Sequence, residues 1–320
     1  MTTVIETKEL SKAYKGNEVV KKLNLKIKQN SIVGFLGPNG AGKTTVMKML
    51  LGLTRPTSGS ASVLGLDIEK QSIDLRKNVG YLPQDLHFYY HMTARETLRF
   101  LARFFYRGTH TAIEMRVQEM LDLVGLEDKA DRPIKTFSGG EHQRLGIGQA
   151  QINYPKLLVL DEPAASLDPM GRRDVLNILN RLRKHTTIFY STHILDDVQR
   201  VSDTVAIINH GELIALTKIE TLQADKGEVV YSIGLKGEFF EVFKRVESQD
   251  WVRGIKEAKP SGRNQTNWQV SVSDENAAEA ELLRLILADE RVKVTAFDRK
   301  KLNLEEVFMN LVGDDDNGKK

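Results

Sequence analysis

The stretch Gly37-Pro38-Asn39-Gly40-Ala41-Gly42-Lys43-Thr44-Thr45 places three glycines ahead of a lysine and two threonines. That order suits phosphate. Glycines let a loop wrap an anion with its N–H groups pointing inward, a lysine reaches the outer phosphate oxygens, and a threonine hydroxyl can ligate Mg²⁺. The G-x-x-x-x-G-K-[ST] spacing falls between the apolar run SIVGFLG and the helix-patterned KTTVMKMLLGL, the strand-to-helix setting such a loop requires. A second candidate is LLVLDE, residues 157–162, an apolar strand ending in two carboxylates. Asp161 at the strand end is suited to orienting Mg²⁺ and its waters, and Glu162, one residue on, to acting as general base toward an attacking water. A third is FSGGEHQR, residues 137–144, which reads in two ways. Ser138 and Glu141 have the spacing of a capping box, and Ser138-Gly139-Gly140 equally opens a helix whose free N–H groups and positive dipole end suit a phosphate.

Elements able to hold these residues are visible in the pattern. The N-terminal part is β-rich, with Leu23, Leu25 and Ile27 alternating. From about Thr93 to Val124 the apolar residues follow a helical period, so a helical arm interrupts the sheet pattern. The sheet returns with KLLVLDEP and TTIFYST, whose nearly all-apolar cores are expected of parallel strands buried on both faces. Beyond about residue 226 the order strand, helix, strand, strand, helix, strand predicts a split-βαβ or ferredoxin-like βαββαβ module, followed by an amphipathic helix in LNLEEVFMNLV. The expected fold is α/β. A P-loop NTPase domain covers 1–222 with a helical subdomain at about 86–150, a small α+β accessory domain covers 227–313, and 314–320 forms a flexible tail.

Composition narrows the function. Lys and Arg number 46 against 43 Asp and Glu, a net charge of +3 spread without a basic block, so nucleic acid is not expected as a partner. The absence of cysteine excludes disulfides, thiolate chemistry and cysteine-ligated zinc. No secretory signal is read in MTTVIETKEL, and no run approaches the roughly 18–20 uncharged apolar residues that span a bilayer. An Asn-Lys-x-Asp guanine-reading motif is also lacking, which disfavours a GTPase.

From about residue 4 to 220 the motifs together resemble the ATP-binding-cassette (ABC) family of ATPases. GPNGAGKTT resembles its Walker A loop, with Gly37, Asn39, Gly40, Ala41, Gly42, Lys43, Thr44 and Thr45 as ATP-binding positions, and LLVLDEP its Walker B strand. VGYLPQ resembles the Q-loop, with Gln84 toward Mg²⁺ or the attacking water. Ser191-Thr192-His193 resembles the H-loop, with His193 toward the γ-phosphate. Asp168 sits where the D-loop aspartate sits, and Tyr14 matches the aromatic that stacks on adenine. FSGGEHQR resembles the signature LSGGQ, departing at Phe137 and Glu141, so Ser138, Gly139 and Gly140 are expected to bind nucleotide and Glu141 is not.

The resemblance implies Glu162, His193 and Gln84 as catalytic residues, and Thr44, Gln84 and Asp161 as Mg²⁺ positions. It implies ATP and Mg²⁺ as cofactors and a head-to-tail pair of cassettes closing on ATP. It further implies a separately encoded membrane permease that holds this chain, itself cytoplasmic, on the cytoplasmic face of the membrane, with export suggested by the C-terminal extension. The alternative is a soluble ABC-type remodelling or translation factor, although such proteins usually carry two cassettes or a long coiled coil. The aromatic run His87-Phe88-Tyr89-Tyr90-His91 after Gln84 is read either as a permease-docking surface or as packing of the arm.

Overall fold

A computed structural model of the protein describes residues 2–107, 109–224, 229–262 and 265–300. The helix expected at 302–312 and the tail at 314–320 lie outside the described residues. The chain divides into two compact units, Met1–Ile219 and Glu220–Lys320.

The first unit runs β1 (Thr3–Tyr14), β2 (Asn17–Leu23), β3 (Lys26–Lys28), β4 (Ile32–Leu36), α1 (Lys43–Leu50), β5 (Ser58–Val63), β6 (Leu66–Asp67), α2 (Ser72–Arg76) and β7 (Val79–Leu82). It continues through α3 (Ala94–Phe105), α4 (His110–Val124), α5 (Gly139–Gln151), β8 (Leu157–Leu160), α6 (Pro169–Leu182), β9 (Thr187–Thr192), α7 (Leu195–Val201), β10 (Thr204–Asn209) and β11 (Glu212–Lys218); α8 (Ile219–Ala224) starts on its last residue and belongs otherwise to the second unit.

Six strands form a sheet in the order β11-β10-β4-β9-β8-β7, every neighbouring pair parallel except β10 with β11. Every residue of β4, β8 and β9 is buried, because helices or a second sheet cover both faces. On one side Phe35, Phe189, Met47 and Leu50 join the antiparallel sheet β2-β1-β5-β6 through Leu10 and Val63. On the other, Leu160 and Tyr190 meet Leu98 of α3, Leu121 of α4, Leu145 of α5 and Leu179 of α6. The arm is fixed locally by a capping box in which Glu96 N donates to Thr93 Oγ1 (3.1 Å) and Thr93 N to Glu96 Oε2 (2.8 Å).

Register decides where the chemistry falls. Leu36 lies opposite Thr192, Leu160 opposite Tyr190, and Leu82 opposite Leu160. The residues that follow, Gly37, Asp161, His193 and Gln84, therefore emerge together at the carboxyl ends of the parallel strands, the edge where open α/β sheets bind ligands.

The second unit consists of β12 (Val229–Gly237), α9 (Phe240–Glu247), β13 (Val252–Gly262), β14 (Gln265–Val272), α10 (Glu275–Leu287) and β15 (Val292–Lys300). Its sheet is antiparallel in the order β13-β14-β12-β15. Trp268 is fully buried, with the rings of Phe239 and Phe243 edge-on at 5.9 and 5.6 Å and Val242, Val246, Leu282 and Ile286 around them.

Candidate active site

The loop between β4 and α1 is held by distant parts of the chain. Gly37 N donates to Thr192 O at 3.2 Å, and a Cβ on Gly37 would stand 2.3 Å from Ile208 O, so no side chain fits between loop and β10. Gly211 N donates to Ala41 O (3.2 Å), while Lys21 N donates to Gly211 O (2.8 Å). Gly42 takes φ +100° with Val19 O 2.8 Å from its notional Cβ, a conformation that only glycine adopts cheaply. Gly42 is also the N-cap of α1, which has no side-chain cap and no acid in its first turn. The amides at that helix start are left for a ligand, and the dipole there favours an anion.

A cavity of about 290 Å³ opens over this loop, lined by Asn39, Gly40, Gly42, Lys43, Thr44, Thr45, Gln84 and Glu162. Val19 also lines it, a residue that no sequence motif singled out. Lys43 Nζ donates to Gly37 O (2.8 Å) and Pro38 O (3.1 Å) and lies 3.2 Å from Glu162 Oε1, both side chains being buried. The other Glu162 oxygen is 3.0 Å from His193 Nδ1. Three residues of three motifs thus form one connected chain. Glu162 reaches it from φ 51°, a left-handed conformation costing a non-glycine residue roughly 1–2 kcal/mol, held by its N–H on Ser191 Oγ (2.8 Å).

Ser191 also donates to Asp161 Oδ1 at 2.6 Å, so this serine positions both adjacent carboxylates. The tripeptide Ser191-Thr192-His193 drew attention to its histidine alone. The signal for the serine lay in strand register, since β8 and β9 run parallel with Leu160 opposite Tyr190, so the next residues, Asp161 and Ser191, fall side by side. Asp161 is fully buried, and its Oδ2 has no hydrogen-bond partner among the described residues. Asp161 is not itself among the residues lining the cavity, but its neighbour Glu162 is, and an unpartnered buried carboxylate oxygen there fits a divalent cation arriving with a nucleotide. Among the described residues no group of three or more His, Cys, Asp or Glu forms a metal site by itself. Burial and the Asp161 charge push the Tyr81 phenol up to about 12.

Ser138, Gly139, Gly140 and Asp168 do not line this cavity. They stand at two neighbouring helix starts: Ser138 is the N-cap of α5, Asp168 the N-cap of α6, and a Cβ on Gly140 would be 3.8 Å from Gly171 Cα. Asp168 Oδ1 accepts from Gly171 N at 2.9 Å. At α5 the capping box is complete, with Ser138 N donating to Glu141 Oε2 (2.8 Å) and Glu141 N to Ser138 Oγ (3.3 Å). It occupies the amides of Ser138 and Glu141, and that of His142 goes to Ser138 O. The amides of Gly139 and Gly140 have no partner among the described residues, and a Cβ on Gly139 would meet nothing within 4 Å. No described residue requires glycine at position 139.

Tyr14, at the end of β1, is 47% exposed, with the Lys12 ammonium 5.0 Å from its ring; it is not among the cavity's lining residues. The aromatic run after Gln84 divides, Phe88 being buried and Tyr89 and Tyr90 exposed. Tyr89 meets Phe100 edge-on at 6.2 Å and Phe100 meets Phe104 at 5.2 Å, beside a cavity of about 370 Å³ lined by Tyr81, Tyr89, Phe100 and Phe105.

A parallel sheet with a glycine-bounded, lysine-bearing loop at its carboxyl edge, a buried aspartate and an adjacent glutamate defines a P-loop nucleotide hydrolase. The ABC transporter family pattern matches residues 20–165. The chain is 37% identical to the ABC transporter ATP-binding protein YxlF of Bacillus subtilis (strain 168), over 97% of this chain and 99% of that one. It is 40% identical to the bacitracin transport ATP-binding protein BcrA of Bacillus licheniformis, over 67% and 69%. Among solved structures, the dimeric ATP-binding cassette MJ0796, in a post-hydrolysis state with ADP and Pi, is 25% identical with a TM-score of 0.62, covering 67% of this chain and 98% of that one. The protein belongs to the ABC transporter family, as an ATP-binding, ATP-hydrolysing subunit.

Proposed function

We propose that two copies of this chain close head to tail on ATP and that the cycle of closing and opening drives a membrane permease, in the direction of export. The observation that carries the reading is the division of the site. The Gly37–Thr45 cavity holds Lys43 and Glu162, whereas the free amides of Gly139 and Gly140 stand outside it. Each half is incomplete alone, and a second copy supplies the other half. The dimeric state of MJ0796 supports this arrangement.

On this reading the loop amides and the α1 dipole receive the phosphates, and Lys43 exchanges loop carbonyls and Glu162 for phosphate oxygens. Glu162, released from the ammonium, accepts the proton of the attacking water, while His193 holds the glutamate's other oxygen and faces the γ-phosphate. Thr44, Asp161 and Gln84 would hold Mg²⁺, which would neutralise charge on the transferring phosphoryl group. Ser191 keeps Asp161 and Glu162 in register. Tyr14 stacks on adenine, Asp168 orders the dimer face, and the second copy brings Ser138 Oγ and the two glycine amides to the γ-phosphate.

Among the described residues no helix is long and apolar enough to cross a membrane; the permease of this reading is a separate chain. It docks a short cytoplasmic segment on the Tyr89–Phe100–Phe105 surface and holds the subunit at the cytoplasmic face. The accessory unit, an appendage of the kind exporter cassettes carry, favours export and serves assembly.

The test is Glu162→Gln in the full chain. It is expected to keep ATP binding, to lose hydrolysis by about 10²–10⁴-fold, and to run as a dimer with ATP and a monomer without it by light scattering. A Glu162→Gln protein that stays monomeric in ATP, or hydrolyses at the parent rate, sinks the proposal.

A further inference from the structure

Glu141 is an anomaly for a phosphate site. Its carboxylate sits in the first turn of α5, one and two residues from the free amides of Gly140 and Gly139, where it would repel an incoming γ-phosphate as surely as it completes the capping box. Two observations show how the chain handles that charge. One Glu141 oxygen, Oε2, is fixed on Ser138 N at 2.8 Å, so the carboxylate is folded back onto the N-cap. The other, Oε1, is ion-paired to the ammonium of Lys129, which comes from the short turn Glu127–Lys129 between α4 and α5. The Glu141 side chain is 12% exposed, and among the described residues Lys129 is the cation ion-paired to it, with the charge of Arg144 acting from further off. Ser138 Oγ accepts Glu141 N–H, which leaves the hydroxyl hydrogen free to donate outward.

We propose that Lys129 is a positioning residue for ATP hydrolysis across the dimer. By cancelling the charge of Glu141 and holding its carboxylate back, it keeps the Ser138 hydroxyl and the Gly139 and Gly140 amides available to the γ-phosphate bound by the other copy. Lys129 acts through Glu141 and touches no nucleotide itself. The inference rests on the reading of residues 138–140 given under Proposed function, and it adds a requirement: with Glu141 in place, the helix start receives phosphate only while Lys129 is there.

The test measures the ATP concentration giving half-maximal dimer in the full chain carrying Glu162→Gln, with the melting temperature recorded for each variant. Lys129→Ala is expected to raise that concentration about tenfold, through an uncompensated anion beside the phosphate, while ATP binding to the monomer is unchanged. Lys129→Gln should behave alike, providing a second neutral variant if alanine impairs folding, and Lys129→Arg should dimerise as the parent does. The deciding variant is Lys129→Ala with Glu141→Gln: removing the anion should restore dimerisation to within about twofold of the parent, because like-charge repulsion is what the lysine relieves.

A merely structural lysine predicts the opposite, a double variant as impaired as Lys129→Ala or worse. That result, or Lys129→Ala and Lys129→Gln dimerising at the parent's ATP concentration, overturns the proposal. Ser138→Arg separates this failure from that of the underlying reading. If it too leaves dimerisation untouched, α5 does not meet the nucleotide and the head-to-tail arrangement is wrong. If it abolishes dimerisation while Lys129→Ala and Lys129→Gln do not, only the role of Lys129 is lost.

Discussion

The starts of α1 and α5 present the same kind of unsatisfied backbone amide and treat it in opposite ways. At α1 there is no capping side chain and no acid in the first turn, and the nearest cation, Lys43, is turned into the cavity. At α5 a serine and a glutamate cap the helix reciprocally and a lysine neutralises the glutamate. The difference teaches what each end must do alone. The α1 end lies within one chain and can be left open, its loop braced by Thr192, Ile208 and Gly211. The α5 end satisfies what it can through its capping box and leaves the amides of Gly139 and Gly140 without a partner among the described residues, and on the proposed reading a second copy meets them.

Lys43→Ala attacks the open end and should have the largest effect. Losing the charge-assisted phosphate contact costs about 2–5 kcal/mol, a fall in ATP affinity of at least ~30-fold that equilibrium titration reads directly. Binding at the parent affinity would mean that the loop does not receive phosphate.

Next come two glycine substitutions that look alike and should not behave alike. Gly37→Ala forces a methyl against Ile208 O and should cost roughly 1–3 kcal/mol of stability in denaturant unfolding. Gly139→Ala meets nothing in the chain, so the stability of the isolated subunit should hold or rise by no more than ~1 kcal/mol, while ATP-driven dimerisation weakens. If Gly139→Ala dimerised normally, the contrast between the two helix starts would lose its functional meaning.

The smallest effect concerns acid. Burial pushes the Glu141 carboxyl up, but hydrogen bonds from Lys129 and Ser138 N–H and the charges of Lys129 and Arg144 win and hold it below its ordinary value of 4.5. A carboxyl lowered in the folded state contributes stability above that ordinary value and loses it as pH falls through the lowered one. Thermal melts between pH 6 and 3 should therefore show an acid-side loss that Glu141→Gln lacks.

Motifs whose chemistry depends on adjacent residues were legible before the fold was known. The loop Gly37–Thr45 and the pair Asp161-Glu162 carry their spacing in the chain, and the βαββαβ order was readable from alternation and helical period. What could not be read joins distant residues. Lys43 and Glu162 meet across more than a hundred positions, and Lys129 reaches Glu141 from a turn whose sequence gives no cue. Ser191 was an intermediate case, recoverable from two parallel strands of known register. The aromatic run at 87–91 was undecidable because packing and docking use the same side chains, and the structure divides it into a buried Phe88 and exposed Tyr89 and Tyr90.

The brace on the phosphate loop has a consequence for the order in which the protein is made. Ala41 is tied to Gly211, Gly37 lies against Ile208, and β4 takes β10 as a neighbour. A nascent chain that has displayed every motif through His193 still lacks the strand that frames the first of them. Emergence of residue 211 is thus the expected point at which nucleotide begins to stabilise the domain: chains truncated before it should gain no ATP-dependent protection from proteolysis, and chains that include it should.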